Sequence, residues 1–139
     1  MDDIMNKKIR QGKSYEKIII GNLLGAGFDV YETVADDQGI DGIIRIEKEG
    51  KVKYYDFQSK GSKNFAGVRC KTSKLNPNLI LIIYSSASNE MLWLRYQDAN
   101  KFFPKTGSEW GDIFINKEHI HELKKLGHFD LDKLKEKLL

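Results

Sequence analysis

The stretch from residue 40 to residue 60 reads IDGIIRIEKEGKVKYYDFQSK, with an aspartate near one end and Gln-Ser-Lys at the other. Its two halves alternate apolar and polar positions, which is typical of strands that bury one face. Glu49-Gly50 is the turn signal between the halves. A loop centred there pairs residues whose numbers sum to 99, so that Asp41 faces Gln58 across a hairpin.

Alternation with period two divides this hairpin into a polar face and an apolar face. The polar face gathers charged and amide groups, namely Asp41, Arg45, Glu47, Asp56, Gln58 and Lys60. The apolar face carries aliphatic and aromatic groups, namely Ile40, Ile44, Ile46, Tyr55 and Phe57. The far corner of the polar face therefore collects a carboxylate, an amide and an ammonium group. A bulge or a three-residue loop would make the Asp41 and Gln58 pair diagonal, which still leaves both within reach of one ion.

This corner has the groups that metal-assisted phosphodiester hydrolysis requires. Asp41 offers a charged oxygen and Gln58 a neutral carbonyl oxygen, which are ligand types for Mg²⁺ or Mn²⁺. Lys60 places a positive charge beside the same ion, and Glu16 in the first predicted helix is a second candidate carboxylate. Each residue also has a structural interpretation. Asp41 suits a turn, Gln58 and Lys60 a solvated strand end, and Glu16 the first turn of a helix.

Hydrophobic spacing predicts an α/β fold with a mixed sheet. Helices are predicted at about 14–26, 62–75, 97–103, from the Asn116 cap through Lys125, and after the Asp130 cap. Strands are predicted at about 28–34, 40–47 and 52–59, at LILIIY (79–84), at MLWLRY (91–96) and, as an edge strand, at DIFI (112–115). LILIIY is apolar enough to be buried on both faces.

The composition, 40% hydrophobic and 31% charged over 139 residues, suits one globular domain. We expect a core at about 12–95 and a C-terminal helical extension at about 97–139. No segment has the length of a membrane span, and Cys70 is the single cysteine, so we expect a soluble, cytoplasmic protein. The net charge is +3, with seven carboxylates from Asp29 to Glu49 and five basic residues without an acid from Lys60 to Asn78.

A helix with Glu16, then DDQGIDG with Asp41, then a strand ending in FQSK resembles the PD-(D/E)XK nuclease superfamily. The resemblance is greatest to its Mrr-type restriction endonuclease branch, where Gln replaces an acid, and archaeal Holliday junction resolvases are similar in layout. It spans about residues 12–95. It implies a restriction endonuclease-like αβββαβ core and metal-dependent cleavage of DNA. It also implies Asp41 and Gln58 as metal ligands, Lys60 as the catalytic lysine and Glu16 as an accessory acid, with Mg²⁺ or Mn²⁺ as cofactor.

The predicted helix at 62–75 is basic and follows the Lys60 strand directly. We predict nucleic-acid contacts for four of its residues, Lys63, Arg69, Lys71 and Lys74. Three of them, Lys63, Lys71 and Lys74, fall on one helical face. A solvated helix face is the alternative interpretation.

Three functions are compatible with the sequence: a metal-dependent DNA endonuclease, a catalytically silent nuclease-fold module that binds nucleic acid or protein, and a nuclease acting on RNA. The first is favoured because the corner around Asp41 and Lys60 is intact. Nucleic acid, most readily DNA, is the expected partner. A homodimer is a further expectation, because Leu131, Leu134 and Leu138 form an apolar stripe on the last predicted helix. Specificity supplied by a partner protein is the alternative.

Overall fold

The structure is a computed structural model that describes residues 3–33, 40–65, 68–71, 76–102, 110–113 and 115–139. Its helices are α1 (Asp3–Gly25), α2 (Tyr96–Phe102), α3 (Lys117–Lys125) and α4 (Leu131–Leu138). Its strands are β1 (Asp29–Glu32), β2 (Gly42–Lys48), β3 (Lys51–Ser62), β4 (Val68–Lys71), β5 (Leu79–Ser85), β6 (Glu90–Arg95) and β7 (Trp110–Ile113).

Five strands form a mixed sheet in the order β1-β2-β3-β5-β6. β3 and β5 are parallel, whereas the other neighbours in this sheet are antiparallel. β4 and β7 form a separate antiparallel pair. The predicted α/β class with a mixed sheet is confirmed.

The β2–β3 hairpin has the register that its sequence predicted. Lys48 pairs with Lys51 and Gly42 with Phe57, so the numbers of paired residues sum to 99 throughout. Glu49 and Gly50 form the two-residue turn, with φ values of 53° and 79°. Two positive φ values in a two-residue hairpin loop match the right-handed twist of the flanking strands, so this turn fixes the register.

The 12-residue strand β3 has different neighbours along its two halves. Its first half, up to Phe57, pairs with β2. Its second half, from Asp56 to Ser62, pairs with β5. β2 therefore stops near the middle of β3, and none of the described strands pairs with that edge of β3 from Gln58 onward.

Two apolar clusters cover the two faces of the sheet. On one face, Ile19 and Leu23 of α1 pack against strand residues that include Ile44 and Phe57. On the other face, Leu81 and Ile83 of β5 pack against a set that includes Leu123 of α3. Every residue of β5 is buried, which confirms the prediction of a strand buried on both sides.

Both C-terminal helices begin at the predicted caps, and α3 ends at Lys125 as predicted. The Asn116 side chain caps α3 by accepting from the His119 backbone N–H at 2.8 Å, and Gly127 after α3 has a φ of 87°. Asp130 caps α4 through the Asp132 N–H at 2.9 Å. These caps work because side-chain oxygens bond the first N–H groups of a helix, which have no helical partner.

The leucine stripe on α4 is not a dimer surface. Leu134 and Leu138 are fully buried in the cluster around α1, and Leu131 packs against that cluster. The stripe meets the core of its own chain because α4 folds back onto the α1 face of the sheet. The structural reason for expecting a homodimer is thus wrong, although the oligomeric state itself stays a prediction.

The predicted helix at 62–75 is also wrong. β3 continues to Ser62, Phe65 has a φ of 67°, which is incompatible with a right-handed helix, and residues 68–71 form β4. Phe65 and Val68 are buried as expected from their spacing, but they reach the core from an irregular segment and a strand. Pairing with β7, about 40 residues later, overrides the local helical pattern.

The N-terminal helix is longer than its apolar pattern predicted. The apolar spacing begins at Tyr15, and α1 extends through a polar stretch back to Asp3. An ion pair between Lys17 and Glu32, 2.7 Å apart, joins this helix to β1. The pKa of Lys17 is raised because its ammonium donates a hydrogen bond to Glu32. No helix in the described part of the chain is long and apolar enough to cross a membrane.

We predict that Gly61→Ala destabilises the protein by about 1–3 kcal/mol, because a methyl group at Gly61 would overlap the Tyr15 ring of α1. The free energy of unfolding from urea denaturation measures this effect. Gly21→Ala is the matched control, since a methyl group there meets no atom within 4 Å. We expect the control to be neutral or to stabilise α1 by up to about 1 kcal/mol. Equal stabilities of the two variants would contradict the contact between α1 and β3.

Candidate functional site

The site lies at the Gly42 end of β2, beside the part of β3 that extends beyond β2. Asp41 immediately precedes β2, and its Oδ2 accepts two hydrogen bonds from Ser59. One comes from the backbone N–H at 2.6 Å and the other from Oγ at 2.8 Å. The Asp41 carboxylate therefore bonds the β3 backbone beyond the last β2–β3 pair. This fixes the position of a carboxylate that is only 8% exposed.

The backbone around Asp41 differs from a regular hairpin end. Asp41 donates its N–H to the carbonyl of Phe57 at 2.9 Å, although Phe57 is the register partner of Gly42. Two residues thus lie opposite one, which is the arrangement of a β-bulge. A methyl group at Gly42 would overlap the Phe57 ring, so the glycine permits this close approach.

The direct pair predicted between Asp41 and Gln58 is wrong by one residue. The partner of the Asp41 carboxylate is Ser59, whose side chain leaves β3 on the opposite face from Gln58. The physical reason is the bulge, which the turn signal alone does not encode. A backbone N–H group of a strand lies in the plane of its sheet. The Asp41 oxygen that accepts from the Ser59 N–H therefore lies beside the edge of β3, between the two faces of the sheet.

Gln58 and Lys60 flank Ser59 on the face away from α1. Gln58 pairs with Leu81 of β5, which belongs to the cluster on that face. Its side chain is 7% exposed, and no hydrogen bond joins it to another described residue. Lys60 is half-buried and has no ion pair with a described residue. The amide of Gln58 is not among the buried side-chain atoms of the described residues that lack a hydrogen-bond partner, which are Ser62 Oγ and Arg95 Nε.

Glu16 approaches the same end of β3 from the α1 side. The neighbouring Tyr15 packs its ring directly over Gly61, the residue after Lys60. The Glu16 side chain is 13% exposed, and its carboxylate lies 3.6 Å from the ammonium of Lys13. The structure thus brings three of the predicted site residues, Asp41, Gln58 and Lys60, to the segment of β3 around Ser59. Asp41 is hydrogen-bonded to that segment, and Gln58 and Lys60 belong to it. Glu16 is the neighbour of Tyr15, whose ring packs over Gly61.

The predicted nucleic-acid-binding residues do not share a helical face. Lys63 is exposed in the bend after β3, and its carbonyl accepts from Ser85 Oγ at 2.9 Å. Arg69 and Lys71 belong to β4, and Lys74 lies outside the described residues. The prediction that these residues bind phosphate stays untested, but its structural basis, one basic helix, is wrong.

Ser59 and Thr33 are site residues that the sequence interpretation missed. Thr33 Oγ1 donates to the carbonyl of Ile40 at 2.7 Å, and the Thr33 N–H donates to the carbonyl of Asp41 at 3.2 Å. Ser59 holds the carboxylate of Asp41 and Thr33 holds its backbone. Ser59 lies between Gln58 and Lys60 in FQSK, and a hydroxyl at that position was the available signal. Nothing local indicates the role of Thr33.

The oxygen donors of the candidate site suit a hard cation such as Mg²⁺ only if oxygen ligands other than carboxylates contribute. No group of three or more His, Cys, Asp or Glu side chains that could hold a metal ion occurs within the described ranges. Two carboxylates and the Gln58 amide supply oxygen donors of the type that Mg²⁺ and Mn²⁺ prefer. Both bonds from Ser59 end on Oδ2 of Asp41, so they fix the orientation of this carboxylate.

No known protein family matches the chain, and no curated protein matches it. Among solved structures, the fold is similar to that of the bacterial homing endonuclease I-Ssp6803I. The likeness covers 91% of this chain and 91% of that chain, with a TM-score of 0.54 and 12% sequence identity. At this identity the likeness shows a shared endonuclease-like fold.

We predict an energetic coupling of about 1.5–3 kcal/mol between Ser59 and Asp41, the range for a hydrogen bond to a charged group. A double-mutant cycle with Ser59→Ala, Asp41→Asn and the double variant, read by urea denaturation at neutral pH, measures it. Ser88→Ala is the control, because its exposed hydroxyl donates to Ser85 Oγ at 3.0 Å and not to the site. Additive effects of Ser59→Ala and Asp41→Asn would show that the two side chains do not interact.

Proposed function

We propose that this protein is a metal-dependent endonuclease that hydrolyses phosphodiester bonds of DNA, with a site of the PD-(D/E)XK type in its Gln variant. The observation that carries the proposal is the anchored carboxylate of Asp41 on the segment of β3 that carries Gln58 and Lys60. The likeness of the fold to a homing endonuclease adds support, because a nuclease already uses this architecture.

Asp41, Gln58 and Glu16 are the residues that would hold a divalent ion. The ion supplies Lewis-acid polarisation of the phosphate and a more acidic water when bound. Ser59 keeps the Asp41 carboxylate at the edge of β3 through two bonds, which preorganises a charged ligand before the ion binds. The Gln58 amide would contribute a neutral carbonyl oxygen, which adds no charge.

Lys60 stabilises the negative charge that develops on the phosphate. Lys60 lies two residues after Gln58 on β3, so its side chain extends from the same face of the strand. No described carboxylate neutralises it in an ion pair, so its positive charge is available for a substrate oxygen. The partly buried position of Lys60 strengthens this interaction, because charges interact more strongly where less water surrounds them.

A catalytically silent module that binds nucleic acid or protein is the second candidate. The observation that favours it is the small number of carboxylates, since no cluster of three or more metal-binding His, Cys, Asp or Glu side chains is present among the described residues. A nuclease acting on RNA is a further version of the first proposal, because the same chemistry cleaves either phosphodiester. Cleavage assays with DNA and RNA substrates separate these three functions.

The proposal predicts cleavage of DNA that requires Mg²⁺ or Mn²⁺ and stops with EDTA. Linear, branched and single-stranded DNA, and RNA, are incubated with the wild-type protein in each condition. Asp41→Asn removes the anchored charged ligand and should abolish cleavage. Lys60→Ala should retain Mn²⁺ binding but lose about a hundredfold or more in rate. Absence of cleavage by the wild type in all conditions, or equal cleavage by folded Lys60→Ala, would favour the silent module.

Gln58→Glu distinguishes a ligand role from a structural role. It adds a charged oxygen at the same place, and we expect Mn²⁺ binding to tighten by about tenfold or more, as measured by isothermal titration calorimetry. A structural glutamine gives the opposite expectation, because a buried unpaired carboxylate destabilises the fold. Gln58→Leu is the companion variant. It should fold at least as stably as the wild type and lose Mn²⁺ affinity, whereas unchanged Mn²⁺ affinity in both variants would exclude Gln58 as a ligand.

A further inference from the structure

The first turns of α1 form a basic arm that the sheet does not cover. We define this arm as residues 6–13, and its cations are Lys7, Lys8, Arg10 and Lys13. All residues from 6 to 14 are exposed, whereas packing against the sheet begins at Tyr15. Side chains around a helix point in all directions, so exposure of nine consecutive residues means that no side of the arm rests on a described part of the body.

The arm is helical because the packed part of α1 continues into it. An isolated helix of this length is marginal in water, since its first turn is unfavourable to form. Residues beyond Tyr15 supply a helix that is already nucleated and buried at Ile19 and Leu23. Gly12 lowers helical stability by about 1 kcal/mol relative to alanine. The arm thus contributes little to the stability of the core, and a packing role does not explain its length.

The arm is one of two basic stretches of this protein, the other being Lys60 to Asn78, which has five basic residues and no acid. The arm carries four of the 23 basic residues and none of the 20 acidic residues, so the rest of the chain has a net charge of −1. The two aspartates at positions 2 and 3 precede the arm. No ion pair with a described residue neutralises Lys7, Lys8 or Arg10. A polyanion is therefore attracted to the arm.

The arm leads directly to the candidate site. Glu16 lies in the turn after Lys13, and the two are joined by the 3.6 Å ion pair. Lys7 lies about 14 Å from Glu16 along the helix axis at 1.5 Å per residue. This distance corresponds to about four steps of 3.4 Å along a nucleic-acid strand. The cations are thus spaced to reach phosphates that flank a phosphodiester held at the site.

We propose that the basic arm binds the phosphate backbone of the nucleic-acid substrate on one side of the cleaved bond. This inference rests on the proposed function, because the position of the bound phosphates is given relative to the cleaved bond. Binding of nucleic acid by the arm is nevertheless testable without cleavage. Contacts with phosphates position a nucleic acid and carry no sequence information. The arm therefore adds affinity for nucleic acid of any sequence and leaves the chemical step to the residues around Ser59.

The test compares two triple variants that remove the same charge from different places. Lys7→Gln, Lys8→Gln and Arg10→Gln are combined in the arm variant. Lys48→Gln, Lys51→Gln and Lys53→Gln are combined in the control variant, whose exposed lysines flank the β2–β3 turn at the opposite end of β3. Binding to a fluorescein-labelled 30-base-pair DNA duplex is measured by anisotropy in EDTA from 50 to 300 mM NaCl.

We expect the arm variant to bind at least tenfold more weakly at 100 mM NaCl and to reduce the slope of log K against log salt by up to about 2.7, or 0.9 for each lost contact. The control variant should change little. Equal weakening in both variants would show attraction to net charge, and no weakening in the arm variant would show a solvated helix. Either result overturns the proposal. The proposal is also overturned if the arm variant loses binding to phosphatidylserine vesicles while its DNA binding is unchanged.

A cleavage assay separates this inference from the proposed function. If the wild type cleaves DNA, the arm variant should raise KM and keep kcat at saturating DNA, because it leaves the residues around Ser59 intact. A lower kcat with unchanged KM would place the arm in the chemistry and overturn the proposal. If the wild type binds DNA through the arm and cleaves nothing, the nuclease proposal fails while the inference about the arm stands.

Discussion

The candidate site depends on the offset between β2 and β5 along β3. β2 pairs with the first half of β3 and β5 with the second half, so the two partners overlap only near Asp56 and Phe57. Beyond this point β3 is supported on one side and open on the other. A strand edge with unsatisfied N–H groups inside a fold needs another acceptor. The Asp41 carboxylate is that acceptor for Ser59, and its placement follows from where β2 ends.

Support for β3 comes from elements that lie far apart in the sequence. α1 and α4 cover one face through Leu23 and Leu134, and α3 covers the other through Leu123. The tight contact of Tyr15 with Gly61 fixes α1 against the end of β3 that carries Lys60. A fully buried β5 holds this end of β3 from the side. The polar residues of the site are therefore held by a rigid apolar frame, as functional groups must be to keep a productive geometry.

Charge is distributed in a way that suits a substrate passing along one side of the molecule. The arm of α1 is basic, and the strands β1 and β2 carry carboxylates such as Asp29 and Glu47, which bond Arg45. The hydrogen bond to Glu47 raises the pKa of Arg45, so this arginine is committed to its acidic neighbours. A nucleic acid, the proposed substrate, would be attracted to the arm. Long-range charge would in this way guide a substrate before short-range contacts at Ser59 act.

The sequence by itself determined the features that neighbouring residues encode. Alternation and the Glu49-Gly50 turn were enough to predict the hairpin register, and an apolar run was enough to predict a strand buried on both sides. Asn116 and Asp130 marked the starts of helices because a cap involves only adjacent residues. Asp41, Gln58 and Lys60 were proposed as site residues in the same way, since they lie on one hairpin whose register is local, and their role stays a prediction.

Tertiary structure decided the features that depend on distant partners. The segment at 62–75 has a helical pattern, but β7 pairs with it as a strand, and the leucines of α4 meet the core of their own chain. Asp41 bonds Ser59 and not Gln58, because a bulge forms where β2 ends. No pattern in neighbouring residues encodes these outcomes. Periodicity shows which side chains must be buried, whereas the surface that buries them is supplied by residues tens of positions away.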